Sequence, residues 1–243
     1  MGHTLFQNHF MILMLLTCRV WAVTASDDST AQYPDPNRFA SAIRAFEQSD
    51  ASQPPPSHAI LCIGSSSMRG WHTHIAEDLA PLTLLLRGFG GSNMNDLLFY
   101  MDRVVLPYRP RALVIYEGDN DIAHGIAPIT IQDTFMTFYT RLRAELPECR
   151  VYFLSIKPSI SRWSLWPRMQ EANHLMEILC RQDKHLTYID IAGPMLNSAG
   201  EPKPEIFLDD KLHMNRAGYL LWREVVKPVL IKGELRFETH FGD

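Results

Sequence analysis

The sequence predicts an α/β protein whose parallel sheet is covered on both faces by helices. Three observations carry this. Short apolar runs alternate with longer stretches of helical spacing, the runs are bounded by Gly, Pro or charged residues, and they recur throughout the chain. Strands buried on both faces read as continuous apolar runs, and β/α alternation makes successive strands parallel. The runs lie at 59–63, 82–86, 112–116, 151–156 and 186–191.

Taken in order, residues 1–25 read as a signal peptide. Phe10 to Cys18 is almost unbroken apolar sequence, and Val23-Thr24-Ala25 supplies small residues suited to cleavage. No Lys or Arg precedes the run and Arg19 interrupts its end, so a lipoprotein reading at Leu15-Leu16-Thr17-Cys18 stays open. The run is too short to span a bilayer, and no span is expected in the mature chain. Residues 26–58 form an N-terminal helix and a linker. Phe39, Ala42, Ile43 and Phe46 share one stripe over 37–48, and Pro54-Pro55-Pro56 stiffens 49–57. The main domain is 59–232, with 233–243 as a tail. Its helices are expected at 94–105, along the Ile131, Phe135, Phe138, Leu142, Leu146 stripe, at 167–181 with Pro167 in the first turn, and at 215–230.

Composition narrows the function. A chain of 243 residues, 46% hydrophobic and 21% charged, suffices for one domain with a sizeable core. Net charge is −4 with no basic patch, which argues against nucleic acid as a partner. Cysteines stand at 18, 62, 149 and 180 without Cys-x-x-Cys spacing, so neither a disulfide framework nor a zinc site is implied. Cys62 falls in a strand and should be buried, whereas a Cys149–Cys180 bridge is conceivable in an exported protein. His72-Thr73-His74 lacks a nearby third ligand and reads as an exposed polar turn; no metal or other cofactor is expected.

In such an architecture ligands bind beyond the carboxyl ends of the strands, so the segments just after each strand deserve scrutiny. After the first comes Gly64-Ser65-Ser66-Ser67-Met68, where a serine at a strand-to-helix turn exposes its hydroxyl beside free helix amides. After the second comes Arg87-Gly88-Phe89-Gly90-Gly91-Ser92-Asn93. Its glycines permit close backbone approach, but a dinucleotide loop would need glycine where Asn93 stands. After the third, Glu117-Gly118-Asp119-Asn120-Asp121 offers the Asn120 amide as a donor to a negative oxygen. Each of these alone is compatible with an ordinary turn. Near the C-terminus, Asp210-Lys211-Leu212-His213 spaces a carboxylate and an imidazole so that Asp can fix the ring and leave its far nitrogen as a base. The same spacing occurs at Asp121–His124. The later pair is preferred because it lies between the final strand and the closing helix.

These four blocks, in this order, resemble the successive sequence blocks of SGNH/GDSL hydrolases over about 59–229. The resemblance implies a three-layer α/β/α sandwich with five parallel strands, the flavodoxin-like SGNH hydrolase fold. It implies Ser66 as nucleophile, Asp210 and His213 completing the triad, and an oxyanion hole from the Ser66 amide, Gly91 and Asn120. One departure is Ser65, where the family usually has Asp; a branch of the family reading Gly-Ser-Ser-Ser shares it.

The expected function is therefore serine-dependent hydrolysis of carboxylic esters. Short loops without a lid-like apolar insertion favour acetyl or other short acyl groups, and export would make acetylated carbohydrate a reasonable substrate. Trp163 and Trp166, after the fourth strand, could stack on a sugar, or pack beneath the following helix as Trp71 and Tyr116 are expected to pack in the core. The alternatives are a lipase, thioesterase or acyltransferase using the same triad, and a catalytically silent glycan-binding module.

Overall fold

The computed structural model describes residues 1–2 and 31–238; the expected signal peptide lies almost wholly outside the described residues. Five strands, β1 (Ile60–Gly64), β2 (Leu84–Gly88), β3 (Ala112–Tyr116), β4 (Arg150–Leu154) and β5 (Leu186–Ile189), form one parallel sheet in the order β2-β1-β3-β4-β5. The chain first winds outward from β1 to β2, then crosses back to β3. That reversal places the ends of β1, β2 and β3 side by side, and Gly64 is in register with both Gly88 and Tyr116.

Alternate strand residues face opposite layers, as the period of two requires. Leu61, Ile63, Leu113, Ile115, Val151 and Phe153 face one core, shared with α1 (Ala40–Ser52), α4 (Met94–Phe99), α5 (Met101–Val104), α7 (Pro128–Glu145) and α8 (Trp166–Cys180). Ile60, Cys62, Val114, Tyr116 and Leu154 face the other, shared with α2 (Ser66–Trp71), α3 (Ile75–Asp78) and α9 (Arg216–Glu234). Trp71, Tyr116 and Trp222 are completely buried in this second layer, Trp222 meeting Trp71 edge-on at 5.6 Å. The sandwich therefore has the expected three layers.

Several boundaries move, each for a local reason. The second strand starts two residues later than expected. Leu82 N–H closes a turn onto Leu79, and Thr83 N–H is taken by the Glu238 carboxylate. The stretch 94–105 is broken at Tyr100, whose backbone (φ −93°, ψ 8°) ends α4 before α5 begins. Helix α1 starts after a 3-10 turn at Pro36–Phe39 and continues to Ser52, into the stretch read as linker.

Helix α1 and the end of α9 are tied to the rest of the fold by ion pairs. Arg103 pairs bidentately with Glu47 of α1 at 2.7 Å, and Arg87 of β2 pairs with Asp50. At the other end α9 runs past residue 232 to Glu234. This fully buried carboxylate takes bonds from Arg150 (2.5 and 2.8 Å), Arg111 (3.2 Å) and the Tyr152 hydroxyl (2.8 Å). A buried charge persists only with such compensation. Cys62, Cys149 and Cys180 are buried free thiols, each pushed up to about 12 by burial, so no Cys149–Cys180 bridge forms here. No helix among the described residues is long and apolar enough to cross a membrane.

Candidate active site

Ser66 opens α2 directly after β1. The turn that delivers it depends on Gly64, at φ +145°, where a Cβ would lie 2.2 Å from the Tyr116 carbonyl oxygen. No side chain fits there, so the β1 end can lie flush against β3 while the chain swings upward. Ser65, in the N-cap position, donates its N–H to that same carbonyl at 3.1 Å.

The Asp210–His213 loop reaches Ser66 from 147 residues away, and His213 Nε2 lies 2.9 Å from Ser66 Oγ. His213 Nδ1 lies 2.6 Å from Asp210 Oδ2, which puts the ring proton on Nδ1 and leaves Nε2 to accept from the serine. The other oxygen, Asp210 Oδ1, accepts the Leu212 and His213 N–H groups at 2.9 and 2.8 Å. Lys211 takes the left-handed conformation, φ +57°, that tightens this turn. The hydrogen bond from the His213 ring, then those from the two amides, hold the Asp210 carboxyl down at about 2, so it stays an anion at any working pH. The loop is braced by bonds from Leu208 N–H to the His213 carbonyl and from Ser161 N–H to the Lys211 carbonyl.

Opposite the histidine lie the donors. Gly91 has φ +90°, and no hydrogen bond occupies its N–H among the described residues. Asn120 is held with its amide in one orientation. Its Oδ1 accepts both Arg162 Nη atoms at 3.1 Å, while Nδ2 donates to the Ser92 carbonyl at 2.9 Å and keeps a second N–H for the crevice. Arg162 in turn bonds Asp119 at 2.6 Å, and the fully buried Lys157 ammonium lies 3.3 Å from the same carboxylate. Burial alone would raise Asp119, but Lys157 and Arg162 outweigh it and leave the carboxyl below its ordinary value.

Next to the Ser92 side chain sits a buried acid. Glu117 is completely buried and accepts the Ser92 hydroxyl at 2.5 Å. Burial, reinforced by Asp121, raises its carboxyl well above the ordinary range. Asp121 accepts the Met94 and Gly118 N–H groups at 3.0 and 3.1 Å, binding the β2–α4 loop to the β3–α6 turn, where α6 is Asp119–Ala123. An arrangement of hydroxyl, imidazole, carboxylate and preset N–H donors around one crevice can carry out acyl transfer.

The structure thus brings Ser66, Asp210 and His213 into one hydrogen-bonded chain with Gly91 and Asn120 in the neighbouring loops. Trp163 is half-buried and Trp166 is 8% exposed; the two stack on each other at 5.9 Å. Trp166 also lines a groove of about 300 Å³ with Gln170, His174, Glu177, Tyr188 and Asp190. His72, expected in an exposed turn, is instead half-buried: Nε2 accepts the Gly88 N–H at 3.2 Å, and burial, then Arg87, lowers it to about 4. Sequence reasoning missed Glu117, Lys157 and Arg162. The available signal was charge close after a strand, Glu117 directly after β3 and Lys157 shortly after β4; Arg162, farther along that segment, had no such signal.

The sequence profile of the GDSL-like Lipase/Acylhydrolase family matches residues 62–221. No curated protein matches the chain. Among solved structures, a Streptococcus pneumonia protein provisionally named a platelet activating factor superposes with a TM-score of 0.70 at 19% identity, covering 79% of this chain and 93% of that one. A GDSL-like lipase from Bacteroides thetaiotaomicron gives 0.67 at 17% identity, covering 79% and 98%. An acetylxylan esterase from Geobacillus stearothermophilus gives 0.58 at 10% identity, covering 73% and 94%. At such identities the structural likeness speaks for the fold, and the profile match for the family. The chain belongs to the GDSL-like Lipase/Acylhydrolase family, and it is a carboxylic ester hydrolase.

Proposed function

We propose that this hydrolase is an exported serine esterase for short acyl esters, with Ser66 as nucleophile, His213 as base and Asp210 as the group that orients the ring. The observation that carries the reading is the 2.9 Å approach of His213 Nε2 to Ser66 Oγ, with Asp210 on the far ring nitrogen. His213 takes the serine proton as Oγ bonds to the ester carbonyl carbon. The carbonyl electron pair moves onto oxygen, where the Ser66 and Gly91 N–H groups and the Asn120 amide receive it. The tetrahedral centre collapses, the C–O bond to the alcohol breaks, and His213 protonates the leaving alkoxide. Water then repeats the sequence on the acyl-serine and releases the acid.

The substrate class draws on the site's surroundings. A groove joining Trp166 and Tyr188 to Asp190, Gln170 and His174 combines aromatic and polar groups as sugar recognition does, and Trp163 stacks on Trp166 beside it. This supports acetylated carbohydrate as the substrate, in keeping with the acetylxylan esterase among the structural neighbours. The test is labelling by a fluorophosphonate together with hydrolysis of p-nitrophenyl acetate. Wild type should label at Ser66, and Ser66→Ala should lose both labelling and turnover, kcat falling on the order of 10⁴–10⁶. Equal turnover by the two proteins would remove Ser66 from the mechanism. Hydrolysis confined to long acyl chains would favour a lipase, transfer to an added alcohol an acyltransferase, and sugar binding without labelling a silent module.

A further inference from the structure

The segment ahead of the family match reaches the site. Residues 36–39 are pinned to α4 and to the loop before it that carries Gly91. Arg38 Nη2 bonds Asp96 Oδ2 at 2.5 Å, the same oxygen that accepts the Asn93 N–H in the capping box of α4. The Tyr100 hydroxyl donates to the Pro36 carbonyl at 3.0 Å. Phe39 stands edge-on to the buried Phe89 with ring centres 5.1 Å apart, and the Arg38 guanidinium covers it at 4.4 Å. Among the described residues, the one atom within 4 Å of where a Cβ on Gly91 would stand, its chain neighbours aside, is Phe39 Cζ, at 3.9 Å. Phe39 itself is half-buried.

The direction of the reaction then decides what meets this ring. His213 must protonate the leaving oxygen, so the alcohol lies on the His213 side of Ser66. That loop follows β5 and touches Ser161 in the segment after β4, both on the far side of β1 in the strand order. With the carbonyl oxygen held by the donors, the acyl substituent is left to point away from the histidine, over Gly91 and the end of β2. On that side Phe39 is the side chain that stands beside Gly91.

We propose that Phe39 is the end wall of the acyl pocket, fixing the accepted acyl length from a segment that precedes the family match at 62–221. The inference rests on the triad reading above. Its test is kcat/KM for p-nitrophenyl acetate, butyrate and hexanoate in wild type, Phe39→Ala and Phe39→Trp, with fluorophosphonate labelling as the check on the site and acetate esters of different phenols as the control series. Phe39→Ala should raise the hexanoate-to-acetate ratio by about fourfold per methylene newly accommodated, on the order of tenfold or more overall. Phe39→Trp should lower the butyrate-to-acetate ratio, and the phenol series should keep its wild-type order in both. Should Phe39→Ala not fold, Phe39→Leu against Phe39→Trp reads the same trend. Variants that label normally and keep the wild-type acyl profile, or that shift the phenol series instead, overturn the wall. Absence of labelling in wild type would instead bring down the triad reading.

Discussion

Two loops of this protein carry Asp-x-x-His, and they have been put to opposite uses. In 121–124 the aspartate is fully buried and spends both oxygens on the Met94 and Gly118 amides, while His124 merely caps a short helix. In 210–213 the pair is exposed. There Asp210 faces its own histidine, and that histidine's other nitrogen is offered to Ser66. The buried loop is a floor beneath the proposed donors, which on the proposed mechanism must be in place before charge develops. On that mechanism, the exposed loop presents a ring to the crevice on the side where alcohol leaves and water enters. Identical spacing therefore says little about role; burial and backbone partners decide it.

The largest effect should separate the two histidines. His213→Ala is expected to lower kcat on the order of 10⁴–10⁶ with p-nitrophenyl acetate, whereas His124→Ala should stay within about twofold of wild type. Comparable losses in both would erase the distinction. Next comes the donor floor. If Asn120 donates to the developing oxyanion as proposed, Asn120→Ala should cost on the order of 10²–10³ in kcat while the chain still folds. A fall confined to KM would mean that Asn120 binds substrate without stabilising the intermediate.

The smallest effects are on stability, and the two regions should differ in sign. Glu117 is raised in the folded chain by burial and then by Asp121, so its contribution is complete below the unfolded value of about 4.3 and is lost as pH rises towards the folded value. Asp210 is lowered to about 2, so its contribution is present above about 3.9 and is lost as pH falls towards 2. Melting curves of Glu117→Gln should gain on wild type as pH climbs from 5 to 9. Those of Asp210→Asn should trail wild type slightly above pH 4 and converge with it in acid, the gap being small because the pair is exposed. A Glu117→Gln gap independent of pH would mean that the buried acid is not held neutral.

The sheet and the site blocks were legible in the sequence for different reasons. Strands buried on both faces leave continuous apolar runs, so all five were visible, though their limits slipped wherever a turn or side chain took an amide from the ladder, as Glu238 takes Thr83's. The site blocks stood out because their residues lie at the carboxyl ends of strands, where chemistry is concentrated. What stayed hidden depends on partners distant in the chain. Arg162 lies 42 residues from the Asn120 amide it orients, and Arg38 lies 58 from Asp96. Neither spacing has a local signature. Phe39 looked like one member of a helical stripe, and only the packed chain brings its ring to Gly91.

The clamp on α9 has a mechanical consequence. Near its first turn Arg216 grips Asp78 through two 2.6 Å bonds, and at its last residue Glu234 is held by two arginines and a tyrosine. The exposed histidine arm thus hangs from a beam fastened at both ends. A shift of about 1 Å in a reacting group can cost on the order of a hundredfold in rate. Precision at the mouth of the enzyme is therefore underwritten by ion pairs at its base, a helix's length away.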